Sequence, residues 1–152
     1  MTGASIPSSA ADIPPGASQT GGAAATSLHV VRVCLGALHV ALEAAHVQAL
    51  TLCSADTELP TLEALLGLPQ PDSDRPRRCL HLRPRQRGDA PTRLSVPAPL
   101  TLQHLAASAI TPLPPLLAAC CRMPGLRALA WQPQGLVLLV DVRRLALGSA
   151  AS

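Results

Sequence analysis

Residues 28–50 read LHVVRVCLGALHVALEAAHVQAL, and apolar side chains recur there at every second position. His29, Val31, Val33 and Leu35 fall on one side of an extended chain; Val30, Arg32 and Cys34 fall on the other. After Gly36-Ala37, Leu38, Val40 and Leu42 alternate with His39, Ala41 and Glu43. A period of two is that of a half-buried strand. A two-residue connection with Gly first suits a type II′ turn. The stretch is therefore expected to form a β-hairpin, with a third extended run over 46–52. A helical reading competes, because Leu28, Val31, Leu35, Leu38, Leu42, Ala45 and Ala49 also keep a heptad spacing. Four valines (Val30, Val31, Val33, Val40) and Gly36 oppose it, since β-branching and Gly both lower helix propensity.

The core that such strands can build is restricted by what the chain contains. Hydrophobic residues make up 48% of it, yet Trp131 is its one aromatic side chain of the Phe, Trp and Tyr type. Leu, Val and Ala must fill the interior. The 152 residues suffice for one domain with a real core. Lys and Asn are missing as well as Phe and Tyr. All four have AT-rich codons, so a GC-rich gene is implied, most simply a bacterial one. An out-of-frame translation of GC-rich DNA is the alternative; the ordered alternations along the chain oppose it.

Along the chain, residues 1–27 are rich in Ala, Ser, Gly, Pro and Thr and are expected to be a disordered tail. A β domain is expected over 28–148 and a frayed end at 149–152. A turn is expected at 57–60, and Leu62, Leu65 and Leu66 suggest a helical turn or two closed by Gly67. Residues 69–78 read as a loop. Strands are expected at 79–83, 92–96, 126–131 and 136–142, the last apolar on both faces and hence central. Residues 100–105 are apolar without a clear period, and 110–117 read as a proline-stiffened crossing that leads into a helical turn at 116–122. A short helix is expected from Arg143 to Leu147. Many short strands with turns between them indicate an all-β barrel or sandwich, with short helical turns.

The chemistry in the sequence is thin. The charge is +3, and six of twelve arginines lie between Arg75 and Arg87, where Pro and Asp mark a solvated loop rather than a nucleic-acid site. No aromatic residues interleave there to stack on bases. Cys34, Cys53, Cys79, Cys120 and Cys121 show no zinc spacing and read as small hydrophobes, reduced in a cytoplasm. No signal peptide and no membrane-length apolar run are visible, so membrane insertion is not expected. His29 and His39 point to opposite faces and make no local ligand pair. Asp141, after an apolar strand, is expected to cap the turn that follows rather than act as a catalytic acid. No catalytic motif is present, so the chain reads as a non-enzyme without metal or cofactor.

Taken in order, these pieces resemble the CheW-like domain, the coupling module of bacterial chemotaxis systems. VRVCLGALHVALEAAHVQAL looks like the family's first hairpin and third strand, TRLSVPAPLTLQHLAASAITPLPPLL like its central strand and crossing, and GLRALAWQPQGLVLLVDVRRLAL like its last hairpin and terminal turn. The family's glycine-rich segment of the form G-x-x-N-L-R-G is reduced here to LPTLEALLGLPQP, and Val47 is followed by Gln48 and Ala49 rather than by an acidic residue. The resemblance implies a pair of small SH3-like β-barrels side by side. It implies a cytoplasmic bacterial adaptor coupling a histidine kinase of CheA type to chemoreceptor-like proteins, without nucleic acid. The family's contact surface maps onto Glu43, Val47 and Gln48.

A second resemblance points elsewhere. TLQHLAASAI, residues 101–110, resembles the BC-box helix through which ubiquitin-ligase receptors bind Elongin B and C. It implies an Elongin BC-binding adaptor resting on Leu102 and Ala106, and it requires that segment to be helical.

Overall fold

The computed structural model describes residue 3 and residues 26–69 and 74–147. The expected tail lies outside the described residues except at positions 3, 26 and 27, as does the expected frayed end; Ser27 already belongs to the first strand. Nine strands run through the described residues: β1 Ser27–Leu35, β2 Leu38–Glu43, β3 Val47–Leu52, β4 Arg77–Leu82, β5 Thr92–Pro97, β6 Leu100–Ala106, β7 Ile110–Pro112, β8 Leu126–Gln132 and β9 Gly135–Val140. Two short helices, α1 Leu62–Leu65 and α2 Pro115–Cys120, complete it with three single 3-10 turns. The fold is all-β, and the helical reading of residues 28–50 is excluded.

The β1–β2 hairpin closes through Gly36 at φ +62, and among the described residues no non-glycine residue has positive φ. Ala37 therefore stays at negative φ, as a type II′ turn requires. The hairpin register puts Val33 opposite Val40 and Cys34 opposite His39. β1 also pairs with β6, and β2 runs parallel to β9, giving a six-stranded order β6-β1-β2-β9-β8-β7. The other sheet has three strands, β3-β4-β5.

The period of two in β1, β2 and β9 divides their side chains between two cores. Val33, Leu35, Val40, Leu42 and Val140 face a first core completed by Leu80, Leu82, Leu94 and Val96 of the three-stranded sheet and by Leu62 and Leu66 around α1. Val30, Ala41, Val137 and Leu139 face a second core with Leu105 of β6 and Ala130 of β8. The six-stranded sheet curls around this second core, and Gln103 Nε2 on β6 donates across it to Gln132 Oε1 on β8 at 3.0 Å. The paired-barrel expectation thus takes the form of two curled lobes that share three strands. Neither core contains an aromatic ring, as the composition demands.

Several expectations are corrected. Residues 100–105, which show no clear period, lie in β6, whose one fully buried side chain, Leu105, is too sparse a signal of alternation. Residues 101–110, which the Elongin reading needs as a helix, are β6, a 3-10 turn and the start of β7, held by the ladder of β6 to β1. The turn expected at 57–60 lies at Ala55–Asp56, where Thr57 N donates to Ser54 O. The proline-stiffened crossing breaks into β7 and α2, with Pro115 at the first helical position, where its missing N–H costs nothing. The C-terminal helix is a single 3-10 turn, Val142–Arg144. Asp141 caps it, its Oδ1 accepting from Arg143 N at 2.9 Å.

The basic run is the largest departure. β4 starts inside the expected loop, and Arg77 turns inward instead of into solvent. Its guanidinium donates to both carboxylate oxygens of Glu63, at 3.1 and 2.8 Å, and to Ser95 Oγ and O at 2.7 and 3.1 Å. Glu63 is only 3% exposed, so the pair fastens α1 over the β4–β5 ladder. Arg85 reaches back to the carbonyl of Leu145 at 3.1 Å.

Candidate functional site

Glu43 ends β2 and leads into the 3-10 turn Ala44–His46, which keeps its carboxylate at the surface. Its Oε2 lies 3.7 Å from His46 Nδ1, beyond hydrogen-bond range. That nitrogen is the buried side-chain polar atom without a partner among the described residues. Glu43 borders two concavities. One, of about 470 Å³, is lined by Leu28, Ile110, Pro112, Ala128 and Leu139, with Arg127 and Asp141 as further polar groups. The other, of about 430 Å³, is lined by Ser27, Leu28, His29, Ala44 and Ala45. Arg127 Nη1 is held 3.4 Å from Asp141 Oδ2, so of these charged groups Glu43 keeps the freest carboxylate. Val47 is half buried and packs on the rim of the first core. Gln48 is exposed, at the irregularity that separates Val47 from Ala49 in the β3–β4 register. β3 itself is an edge strand in which Ala49 to Leu52 are exposed, and it carries no charged residue. An uncharged edge of this kind is open to pairing with another chain.

An apolar row lies elsewhere, and the sequence reading missed it. Trp131 sits opposite Leu136 in the β8–β9 ladder, and Leu38 lies one step beyond the His39–Val137 pair of β2 and β9. The three occupy one face of three adjacent strands. Trp131 is 66% exposed and Leu38 37% exposed. In β8 the small side chains Ala128 and Ala130 face the second core, while the tryptophan faces outward. That inversion, alanines inside and an aromatic outside, is the signal the sequence did carry. On α2, Leu116 and Leu117 are exposed as well.

The titratable side chains form small separate groups. Arg32 Nη2 donates to His39 Nδ1 at 2.9 Å, and Cys34 Sγ lies 3.3 Å from the same nitrogen. Arg32 can only donate, so the lone pair that would draw a proton from Cys34 is already engaged. Thr51 Oγ1 meets His81 Nε2 at 2.9 Å. His29 meets His104 of β6 edge to face, with ring centroids 4.0 Å apart. Among the described residues no three His, Cys, Asp or Glu side chains converge as a metal-holding group. Of the thiols expected to pack as small hydrophobes, Cys79 is buried and Cys34 and Cys53 are half buried, whereas Cys120 and Cys121 are exposed on and after α2. No helix among the described residues is long and apolar enough to cross a membrane.

No family model and no curated protein matches the chain. Its fold is similar to that of a solved structure, the scaffolding protein TtCheW from Thermoanaerobacter tengcongensis, with a TM-score of 0.59 and 12% sequence identity. The match covers 82% of this chain and 94% of that one. At that identity the likeness is one of fold, and the fold of this chain is CheW-like and all-β.

Proposed function

We propose that the chain is a non-enzymatic adaptor in a chemotaxis-like signalling system, a cytoplasmic bacterial protein that joins a histidine kinase of CheA type to chemoreceptor-like proteins. The observation that carries the reading is the row Leu38–Leu136–Trp131, in which the chain's one aromatic residue stands two-thirds exposed. Buried aromatic anchors supply most of the energy of protein interfaces, and a lone tryptophan left on a surface is suited to that part. The fold supports the reading, because a solved structure of similar fold is a scaffolding protein. In this reading Glu43 meets a receptor-like partner at the concavity it borders, Val47 shapes that surface from beneath, and Gln48 contacts the partner from the edge strand.

The test is capture, by the immobilised full chain, of a CheA-type kinase and of a chemoreceptor-like protein from the same cell. Trp131→Ala is expected to weaken kinase capture at least tenfold, as the loss of an interface anchor does. Glu43→Arg is expected to weaken receptor capture and leave the kinase bound. Failure of the wild type to capture either, or indifference of both variants, refutes the reading.

A further inference from the structure

We infer that His29 and His104 form a surface chelate for a borderline divalent transition-metal ion, a site that ties β6 to β1. The two residues are direct partners in the antiparallel register of β1 and β6, flanked by the pairs Leu28–Leu105 and Val30–Gln103. Side chains directly opposite on an antiparallel pair leave the sheet on the same face with Cβ atoms about 4.5–5.5 Å apart. Here that geometry brings the rings to a centroid separation of 4.0 Å, and both residues are exposed. Two imidazoles held that close by rigid strands need only side-chain rotation to present one nitrogen each to a single ion. The backbone that positions them is already ordered by the ladder, so little ordering remains to oppose binding.

The chemistry selects the ion. Two neutral imidazole nitrogens suit Zn²⁺, Cu²⁺ or Ni²⁺, whereas Mg²⁺ and Ca²⁺ require oxygen ligands. Other coordination positions are left to water. The concavity of about 430 Å³ that His29 shares with Glu43 lies beside the pair and gives that water room, with a carboxylate on the same wall. Among the described residues no other two histidine rings meet: His39 is engaged by Arg32 and His81 by Thr51. The site is independent of the adaptor reading and survives its failure.

The test uses Ni²⁺ alone, since the five free thiols would reduce Cu²⁺ and compete for Zn²⁺. Isothermal titration of the full chain at neutral pH is expected to show one equivalent bound, with affinity falling at least tenfold in His29→Ala and in His104→Ala. His39→Ala and Cys34→Ser are expected to bind as the wild type does. Ni²⁺ should also raise the thermal midpoint of the wild type and leave that of His104→Ala unmoved, because a ligand that bridges two strands stabilises only the state in which they are paired. His104→Thr, which keeps β propensity, replaces His104→Ala if the latter does not fold. No binding by the wild type, or binding by His29→Ala or His104→Ala as tight as that of the wild type, overturns the site.

Discussion

Replacing Glu63 by Gln should destabilise the protein by an amount that the geometry sets. The carboxylate accepts two bonds from Arg77, at 3.1 and 2.8 Å, and is almost wholly buried. Glutamine keeps one acceptor but turns an NH₂ group toward the guanidinium, where a donor meets a donor. Hydrogen bonds to charged groups contribute about 1.5–3 kcal/mol each. Breaking a buried pair by removing one partner costs about 3–5 kcal/mol. Arg77 retains 21% side-chain exposure and both bonds to Ser95, which moves the cost to the lower end. We expect about 2–3 kcal/mol. With a urea dependence of about 2 kcal/mol per molar, the midpoint falls by about 1–1.5 M. Equilibrium urea unfolding followed by far-UV circular dichroism measures this. Combining Glu63→Gln with Arg77→Met should cost less than the two single changes summed, because each removes the same contact. The coupling should persist in molar NaCl, since buried pairs are screened little. A midpoint change below about 0.3 M, or strict additivity of the double variant, refutes the argument.

Other perturbations test other parts of the molecule. Leu42→Ala, at a side chain with no exposure in the first core, should cost about 2–5 kcal/mol in the same urea assay. Gly125→Ala should destabilise more than Gly36→Ala: both glycines have positive φ, but a Cβ at Gly125 would stand 2.8 Å from the Asp141 carbonyl, while one at Gly36 meets nothing within 4 Å. The exposed turn should lose about 1–2 kcal/mol and the crowded position more than that, as calorimetric midpoints would register. Asp141→Ala removes the cap of the last turn and the partner of Arg127, for a loss of about 1 kcal/mol. Tryptophan emission should shift little on unfolding, because Trp131 is already in water, and should shift to the blue when a partner covers it. A large red shift on unfolding would contradict that placement.

What the sequence made legible was local. The alternation over 28–43 locates β1 and β2, the apolar run of 136–142 locates β9 (Gly135–Val140) at the centre of its sheet, and Gly67 marks the end of the α1 region. Asp141 is legible as a cap, and its side chain accepts from Arg143 N as one. The rest depended on residues far apart in the chain. Nothing near Arg77 announces that Glu63 and Ser95 will surround it, so a basic run looked like a solvated loop. β6 buries one side chain fully, which leaves too little alternation to read. The contact of His29 with His104 exists only through the β1–β6 register, and the Leu38–Leu136–Trp131 row only through β2, β9 and β8. Of the expected contact residues, Gln48 is exposed and Glu43 is half buried with its side chain 43% accessible, whereas the half burial of Val47 follows from its packing on a core that local pattern cannot outline.

The parallel pairing of β2 with β9 has a consequence for the protein's synthesis. His39 lies beside Val137, nearly a hundred residues later in the chain. A ribosome therefore finishes the first hairpin long before the strand that completes both lobes has emerged. Until then Val40 and Ala41, on opposite faces of β2, have no neighbour on that side. Lobe-by-lobe folding during translation is closed to this topology, because both interiors need β9. The nascent chain must shelter two apolar faces while it waits, and a release or truncation before residue 135 leaves neither lobe with its central strand.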